Sequence, residues 1–423
     1  MRLSAPLLLA GCAVAATALW SQRLPSRSRS AVQPVRITFN NQIVRIFQKH
    51  CQVCHHPGDV GPFSLMSYSE SRPWARRIKD ETQARRMPPW KPVAGFGEFH
   101  GERRPTQPEI DLIAGWVEAG APEGDPGDLP QPLSFSIEWR LGTPDLVLEP
   151  EADFRVPAQG RDAYRCFSIP TRLLRSQWVS GFEVQPGNRA IVHHVLLYPD
   201  RLALSAFKSQ NDNQTGYNCF GGPGVPFETV LGAWAPGAGA QTYPEGAGIL
   251  LTPFSRVVMQ VHYHLDGKAQ SDRTRVGIYF GRQGSYKEVL TLPVVNSRFV
   301  IPAGAERHVV TASFTVPPLV SGRAISVLPH MHLLGREIKA QAVFPDGAVK
   351  PLIYIDDWDF QWQGVYYYRE PVLLTPGTRI EVTAIYDNSA GNPRNPNDPP
   401  LAVRWGEQTT DEMCLVGFGV ILD

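Results

Sequence analysis

The fold is indicated most clearly by residues 256–264, which read RVVMQVHYH. In an extended strand, successive side chains point to opposite faces. One face of this stretch carries Val257, Met259, Val261 and Tyr263, and the other carries Val258, Gln260, His262 and His264. A single histidine in a strand is more often a satisfied core or surface residue than a ligand. Two histidines opposite an apolar stripe instead predict a β-strand that presents metal ligands on one face.

A second His-x-His pair repeats this arrangement further along the chain. His330 and His332 share one strand face with Ser326. The opposite face of the same predicted strand carries Ile325, Val327 and Met331. Two such pairs in one chain are harder to dismiss than a lone histidine, because the spacing puts two imidazoles on one side of a strand.

Two other features extend the set of predicted ligands. His193 and His194 are adjacent, so both can bind one metal only at a β-bulge or a strand end. Met413 offers a thioether, which beside imidazoles favours copper(I) over zinc or non-haem iron. Spacing alone does not choose between His262 and His264 as the ligand from their strand.

The region from Pro144 onward is predicted to be β-rich. Short runs of Val, Ile, Leu, Phe and Tyr alternate there with Gly, Pro and Asn turns, and the chain has 39 prolines and 37 glycines. This pattern is typical of antiparallel β-sandwiches. Lys plus Arg (41) nearly balance Asp plus Glu (40), so no basic footprint for nucleic acid is present.

A different motif, Cys51-x-x-Cys54-His55, lies upstream of the histidine clusters. Covalent haem attachment needs two thiols one turn apart, and the following histidine supplies an axial imidazole. A thioredoxin-like pair and half a zinc site are the alternatives, and the immediate histidine argues against both. We therefore predict one covalently bound haem c held by Cys51, Cys54 and His55.

The sixth haem ligand is predicted to be Met87, on the proline-stiffened loop that reads RMPPW at residues 86–90. The competing residues are His50, His56, His100 and Met66.

Residues 34–122 are predicted to form a small helical domain. Thr106 to Glu109 is a capping-box pattern with an early proline, and Gly120 ends the helix that follows. The segment resembles a class I-like cytochrome c domain. The run APEGDPGDLPQPLS at residues 121–134 marks a linker, so the predicted ranges are 34–122 for the haem domain and 123–143 for the linker.

The N-terminus is predicted to direct the chain out of the cytoplasm. Arg2 precedes a mostly apolar run over residues 3–20, and we interpret residues 1–33 as an export signal or membrane anchor plus a linker. Cys12 fits a lipobox, so lipidation, cleavage and an uncleaved anchor remain open. The expected location is periplasmic or cell-surface, secreted or membrane-anchored. An oxidising compartment permits a disulfide, for which Cys166 and Cys219 are the natural pair, leaving Cys414 free.

The region from Pro144 to the C-terminus resembles the copper type II, ascorbate-dependent monooxygenases. The matching stretches occur in family order and are VHH at 192–194, AWAPG at 233–237, YPE at 243–245, QVHYH at 260–264, HMHLLGR at 330–336 and EMC at 412–414. The resemblance implies two consecutive antiparallel, jelly-roll-like β-sandwich domains, expected at 144–285 and 286–423, with one copper each. The fold class expected is thus mainly β with a small N-terminal helical cytochrome c domain.

The same resemblance implies how the ligands divide between the two coppers. The electron-transfer copper would take His193, His194 and His262. The oxygen-activating copper, the catalytic one, would take His330, His332 and Met413, which leaves His264 as a spare.

The function expected is that of a copper-dependent monooxygenase. It would hydroxylate a C–H bond of a small organic substrate with O2, with electrons from an external donor (an ascorbate-like reductant or a redox protein) delivered through the fused cytochrome domain. Leu328, Leu415 and Gly417 stand where peptide-amidating relatives carry substrate-binding polar residues, so peptide amidation is not expected. Ala384 stands at a family cysteine position, which leaves Cys414 without its usual partner. The alternative is a non-catalytic haem and copper electron-transfer or copper-handling protein.

Overall fold

The structure is a computed structural model that describes residues 36–135, 139–160, 163–208, 214–219, 221–282, 284, 286–406 and 408–423. Residues 37–423 form one compact unit. The predicted export segment, residues 1–33 with Cys12, lies outside the described residues. Among the helices of the described ranges, none combines the length and the apolar composition needed to cross a membrane.

The α-helices lie in the N-terminal part of the described chain, as predicted. They are α1 (Val44–His50), α2 (Tyr68–Ser71), α3 (Ala75–Gln83) and α4 (Gln107–Glu118), with a π-helical turn over Phe39–Ile43 and 3₁₀ turns over Arg72–Trp74, Pro126–Asp128 and Leu204–Phe207. Thr106 and Glu109 form the predicted capping box at the start of α4, and Gly120 follows its end with a φ of 85°. The core of this helical segment (residues 37–122) includes Phe47 and Trp116.

A first β region follows. Its strands are β1 (Leu146–Leu148), β2 (Phe154–Val156), β3 (Ala163–Pro170), β4 (Gln177–Gln185), β5 (Val192–Asp200), β6 (Tyr217–Asn218), β7 (Gly232–Trp234), β8 (Gln241–Thr242), β9 (Ala247–Leu251), β10 (Arg256–Tyr263), β11 (Gln270–Asp272) and β12 (Arg275–Phe280). One sheet has the order β6-β3-β10-β5-β7, and a second contains β1-β12-β4-β9. Side chains from both sheets share one core, in which Val257, Met259, Val261 and Tyr263 are fully buried, so the predicted apolar face of β10 is confirmed.

The second β region is built in the same way. Its strands are β13 (Lys287–Asn296), β14 (Val300–Ile301), β15 (His308–Thr315), β16 (Gly322–His330), β17 (Gly335–Val343), β18 (Val349–Ile355), β19 (Tyr366–Leu374), β20 (Arg379–Tyr386), β21 (Val403–Arg404) and β22 (Cys414–Leu422). The sheet β15-β20-β17-β18 packs on strands ordered β13-β22-β16-β19, and one core joins them. The mainly β fold predicted from the sequence is confirmed, whereas the domain ranges stay predictions.

The two β regions are joined within a sheet. Strand β13 pairs with β9 in parallel, through Lys287 opposite Ala247 and Glu288 opposite Gly248. This pairing makes one continuous strand order from β1 to β19. The sequence predicted antiparallel sheets throughout, and this parallel junction is the exception among the named strand pairs of the described residues.

One predicted strand phase is wrong. Ile325 was expected beside Val327, but the register of β16 shifts between Ala324 and Ser326 on both of its partners. At this bulge Ile325 packs in the core of the first β region, while Val327 packs in the core of the second. A bulge inserts one residue and reverses the side-chain phase beyond it, which period-two counting cannot anticipate.

The helical segment packs on the second β region. Phe99 belongs to the core of that region, and its backbone forms an isolated bridge with Tyr368. Pro92 bridges Ile355 in the same way. The loop between α3 and α4 is therefore part of the junction with the β structure and not a free connection.

Candidate metal centres

Three histidines from two neighbouring strands meet at one end of the five-stranded sheet. His262 lies opposite His194, and Tyr263 lies opposite Val192, so the pairing skips His193. This β-bulge lets His193 and His194 present their rings to the same place, although they are adjacent in sequence. The irregularity that the adjacent histidines predicted is present.

The Nδ1 atoms of these three histidines converge. His193 Nδ1 is 3.1 Å from His194 Nδ1 and 3.0 Å from His262 Nδ1, and the remaining separation is 3.3 Å. A point equidistant from three atoms at such spacing lies about 1.8 Å from each, near the roughly 2.0 Å of a zinc–imidazole bond. Each neutral imidazole nitrogen either donates or accepts, so no placement of protons satisfies all three contacts, whereas a shared cation does.

Burial favours the neutral form of one imidazole in this cluster. Burial, followed by the neighbouring His262 and His193, lowers the pKa of His194 well below its usual value. A neutral imidazole offers the lone pair that a metal needs. The ring of Tyr164 stacks on His262 at 4.2 Å between centroids, with 6° between the ring planes, and so limits the orientation of that ligand.

His264 takes no part in the cluster formed by the other three histidines. It is exposed, follows the end of β10, and its backbone N–H donates to Ile191 O at 2.9 Å. Spacing alone left His262 and His264 as alternative ligands. Geometry favours His262, because its ring lies with those of His193 and His194.

A second pair of histidines lies at the end of β16. The His330 and His332 ring centroids are 5.1 Å apart. His330 Nδ1 is 2.6 Å from Gln363 Oε1, and His332 Nδ1 is 3.0 Å from Asp411 O. Since both partners are acceptors, each Nδ1 carries the proton and each Nε2 keeps a lone pair for a metal. Burial, then His332, lowers the pKa of His330 to about 3, and burial also lowers the pKa of His332.

A buried carboxyl group, that of Glu412, connects His332 with Met413. Glu412 accepts from the backbone N–H groups of His332 (2.9 Å), Leu334 (2.6 Å) and Met413 (3.2 Å). Burial raises the pKa of Glu412 to about 8, although these hydrogen bonds act to lower it. Tyr386 also donates its hydroxyl to Met413 O at 2.8 Å. Met413 therefore lies on a segment fixed to the backbone of the second histidine pair.

The Cys-x-x-Cys-His motif follows α1. Cys51 and Cys54 are unpaired, and the backbone N–H groups of Cys54 and His55 reach Cys51 O in a single turn. Burial raises the pKa of Cys51 to about 12 and also raises that of Cys54. His55 Nδ1 donates to Phe63 O at 2.9 Å and leaves Nε2 for an axial bond. The single turn and the orientation of His55 are compatible with covalent haem, which stays a prediction.

The competing histidines for the sixth haem position have other partners. His50 places its ring nitrogens against Arg103 O (3.0 Å) and Glu109 (3.2 Å). His56 contacts Pro57 O with Nδ1 at 3.1 Å and Asp59 with Nε2 at 3.2 Å. His100 is exposed, on the loop that packs against the second β region. Both ring nitrogens of His50 and of His56 therefore already contact protein groups.

Met87 itself lies at a cavity of about 740 Å³ between the helical segment and the second β region. The lining includes Trp90, Arg104, Ile110 and Asp357, but none of the residues of the Cys-x-x-Cys-His motif. Met66 is partly buried. The structure therefore does not bring Met87 to His55 through this cavity, and its assignment as the sixth ligand stays a prediction.

The haem motif contacts the first β region. Asp59 pairs with Arg189 at 2.7 Å, four residues before His193. Arg103 donates to Gly237 O at 2.6 Å. A Cβ on Gly237, whose φ is +82°, would lie 3.0 Å from Cys54 Sγ and would also meet Arg103. The loop after β7 therefore approaches Cys54 closely because it has a glycine there.

Three residues that shape these sites were not predicted. Tyr164 stacks on His262 from the neighbouring strand β3, a contact that needs the strand pairing to be known. Gln363 and Glu412 orient the second histidine pair from loops distant in sequence. Of the three, only Glu412 had a signal in the sequence, its position next to Met413.

The disulfide prediction is confirmed. Cys166 and Cys219 are bonded, and Cys414 is buried and unpaired.

Two family models match this chain. Residues 137–270 match the copper type II ascorbate-dependent monooxygenase N-terminal domain, and residues 289–417 match the C-terminal domain. The helical segment lies outside both matches. Together the two matches cover more than half of the 423 residues.

Similar proteins agree with this assignment. "DBH-like monooxygenase protein 1" of Homo sapiens is 27% identical over 256 residues, which is 55% of this chain and 39% of that protein. Dopamine beta-hydroxylase of Equus caballus is 25% identical over 258 residues, which is 55% of this chain and 39% of that protein. The chain thus spans about two fifths of the length of these relatives. The chain belongs to the copper type II ascorbate-dependent monooxygenase family.

Proposed function

We propose that the chain is a copper-dependent monooxygenase that inserts one oxygen atom of O2 into a C–H bond of a small organic substrate. The observation that carries this proposal is the convergence of three imidazole Nδ1 atoms within 3.3 Å of one another. A second pair of imidazoles, oriented through Nδ1 and with Nε2 left for a metal, supports a second copper. Imidazole ligands suit copper, and family membership identifies copper as the metal.

The two groups of ligands have different roles in this proposal. His193, His194 and His262 hold an electron-transfer copper, and His330, His332 and Met413 hold the oxygen-activating copper. Bound copper would supply one-electron exchange at the first site and dioxygen activation at the second. The residues around the second site position its ligands: Gln363 and the Asp411 carbonyl hold the Nδ1 protons, and Glu412 fixes the segment of Met413.

The substrate is expected to be small and hydrophobic or aromatic. Leu328 lies two residues before His330 on the same strand face, and Leu415 lies opposite His330 in the register of β22. Both leucines are partly exposed. Gly417 lies opposite Leu328, and a Cβ there would come 3.9 Å from Leu328 Cβ. An apolar surface beside the histidine favours substrates without charged groups.

We further propose that electrons reach the copper sites through the helical segment. Cys51 and Cys54 would bind haem c covalently, with His55 as one axial ligand and Met87 as the other. Support comes from the contacts of Asp59 with Arg189 and of Arg103 with Gly237, which join the helical segment to the first β region. An external ascorbate-like reductant or redox protein would reduce the haem, and the disulfide is consistent with a location outside the cytoplasm.

Metal analysis combined with isotope labelling tests the proposal. We expect two coppers and one covalent haem per chain, and incorporation of labelled dioxygen into a small apolar substrate. The alternative, a non-catalytic electron-transfer or copper-handling protein, predicts the same metals with redox cycling of the haem but no label in any product. A chain that binds no copper under reducing and oxidising conditions would contradict both functions.

A further inference from the structure

The strongest feature that the proposed function leaves unused is an apolar patch on the first β region. Four side chains are exposed to an unusual extent: Leu174 (81%), Leu202 (77%), Phe254 (70%) and Phe207 (69%). Soluble proteins scatter single exposed apolar residues widely, but a contiguous group of large ones marks an interaction surface.

These residues come from three loops that contact one another. The first loop follows β3 (residues 171–176), the second follows β5 (201–208), and the third precedes β10 (252–255). Phe254 N donates to Leu173 O at 2.9 Å, and Thr252 Oγ1 donates to Arg201 O at 3.3 Å. The three loops therefore form one surface, which we name the loop patch.

The charges in the loop patch have one sign. The three loops contain Arg172, Arg175, Arg201 and Lys208 and no aspartate or glutamate. Arg201 pairs with two carboxylates, Glu228 and Glu288, and so adds no positive charge to the patch. Arg172, Arg175 and Lys208 are exposed beside the apolar side chains. Protruding apolar groups with cations next to them match the interface of an anionic bilayer, where acyl chains meet negative headgroups.

Each of the three loops in the loop patch contains a residue other than glycine with a positive φ. Arg172, Ala203 and Phe254 have φ values of 57°, 55° and 58°, one in each loop. A bulky residue in this left-handed region is strained, and such strain persists where surrounding structure or function maintains it. At Phe254 the strained turn presents an aromatic ring that is 70% exposed.

We propose that the loop patch is a docking surface for an anionic lipid bilayer. Exposure of 69–81% means that these side chains protrude from their neighbours. A bilayer accepts protruding groups without a complementary shape, whereas a protein partner needs matching pockets. The patch lies at the Arg256 end of β10, and His262 lies at the other end, so docking leaves the histidine cluster uncovered.

Hydrogen exchange of the full-length chain with vesicles tests the proposal. Vesicles that contain phosphatidylglycerol should slow exchange at residues 171–176, 201–208 and 252–255 on the order of tenfold, and vesicles of phosphatidylcholine alone should slow it much less. Because exchange is measured separately for each loop, protection of the loop patch can be distinguished from any membrane contact of the N-terminal segment.

Variants make the test specific. The double variant Leu174→Ser/Phe254→Ser should lose the protection, and Arg172→Gln/Arg175→Gln should lose the preference for phosphatidylglycerol. Leu401→Ser, at an exposed leucine of the second β region, is the matched control and should keep both. Unchanged exchange with vesicles would overturn the proposal. So would equal protection without vesicles that grows with protein concentration, since a second copy of the chain would then cover the patch.

Discussion

The two histidine groups orient their imidazoles in opposite ways. In the first group, the Nδ1 atoms of His193, His194 and His262 face one another within 3.3 Å. In the second group, the Nδ1 atoms of His330 and His332 face protein acceptors, and the lone pairs lie on Nε2. The first group therefore has three converging imidazoles, whereas the second has two imidazoles held by protein acceptors, with Met413 as its proposed third ligand.

The largest effect is expected from removing one of the converging ligands. His262→Ala should abolish tight copper binding at the first site, a loss of more than about 100-fold in affinity, since changes outside the ligand shell already cost 10–100-fold. Copper content per chain measures this directly and should fall from two to one. His264→Ala is the matched control and should keep both coppers. If His264→Ala loses as much copper as His262→Ala, the converging Nδ1 atoms do not define the first copper site.

Met413→Ala tests the second group alone. The variant should lose dioxygen-dependent product formation and bind copper(I) more weakly at the second site, because the soft thioether is removed. The first site and the haem spectrum should be unchanged. Met331→Leu, at a fully buried methionine between the two histidines, is a control that should retain activity. Turnover that survives Met413→Ala would remove Met413 from the ligand set.

Glu412→Gln tests whether the hydrogen bonds of Glu412 hold His332 and Met413 in place for copper binding. Replacing one carboxylate oxygen by an amide sets a donor against backbone N–H donors, so copper affinity at the second site should fall by about 10–100-fold. Competition with a copper(I) chelator measures the change, while the first site should retain its affinity. Glu337→Gln, at a partly buried carboxylate bonded to Tyr354, is the control. Equal affinity in the Glu412 variant would mean that backbone geometry holds Met413 without the carboxylate.

Arg189→Gln tests which group receives electrons from the helical segment. Loss of the pair with Asp59 should loosen the Cys54 loop and slow copper-dependent reoxidation of the haem, without O2, by roughly tenfold. Haem and copper content should be unchanged. Arg307→Gln breaks an exposed ion pair with Glu337 elsewhere and should leave the rate unchanged. If the haem of the wild-type protein is not reoxidised by copper, electron delivery from the helical segment is wrong. If both variants reoxidise the haem as fast as the wild type, the Arg189–Asp59 contact is not needed for this delivery.

The smallest effect concerns pH. The pKa of His330 is about 3 in the folded chain, below the roughly 6.5 of an unfolded histidine. Between these values the unfolded state binds a proton that the folded state does not, so the copper-free chain should lose stability as pH falls. The loss is at most about 1.4 kcal/mol per pH unit for one group. Urea unfolding between pH 6.5 and 5 should show a shallower slope for His330→Gln; an unchanged slope would contradict the shift.

The sequence predicted local features better than long-range ones. The bulge at His193 followed from two adjacent histidines, and the capping box of Thr106 followed from residues three apart. The phase of Ile325 failed because an inserted residue in β16 leaves no local signature. The partners Gln363, Glu412 and Tyr164 depend on which strands and loops meet, and that information lies in the tertiary packing. The assignment of Met87 stays a prediction, because whether it could reach His55 depends on how a loop folds.

Because β9 pairs in parallel with β13, one sheet crosses the boundary between the two β regions. Lys287 and Glu288 begin the second β region, yet their backbones already belong to the same sheet as Ala247 and Gly248. Val289, Ile325 and Ile421, from strands of the second region, also pack in or against the core of the first. At this junction the two regions therefore share a sheet and a core. The spacing of the two histidine groups is consequently set by backbone hydrogen bonding and core packing, as an internal dimension of one continuous framework.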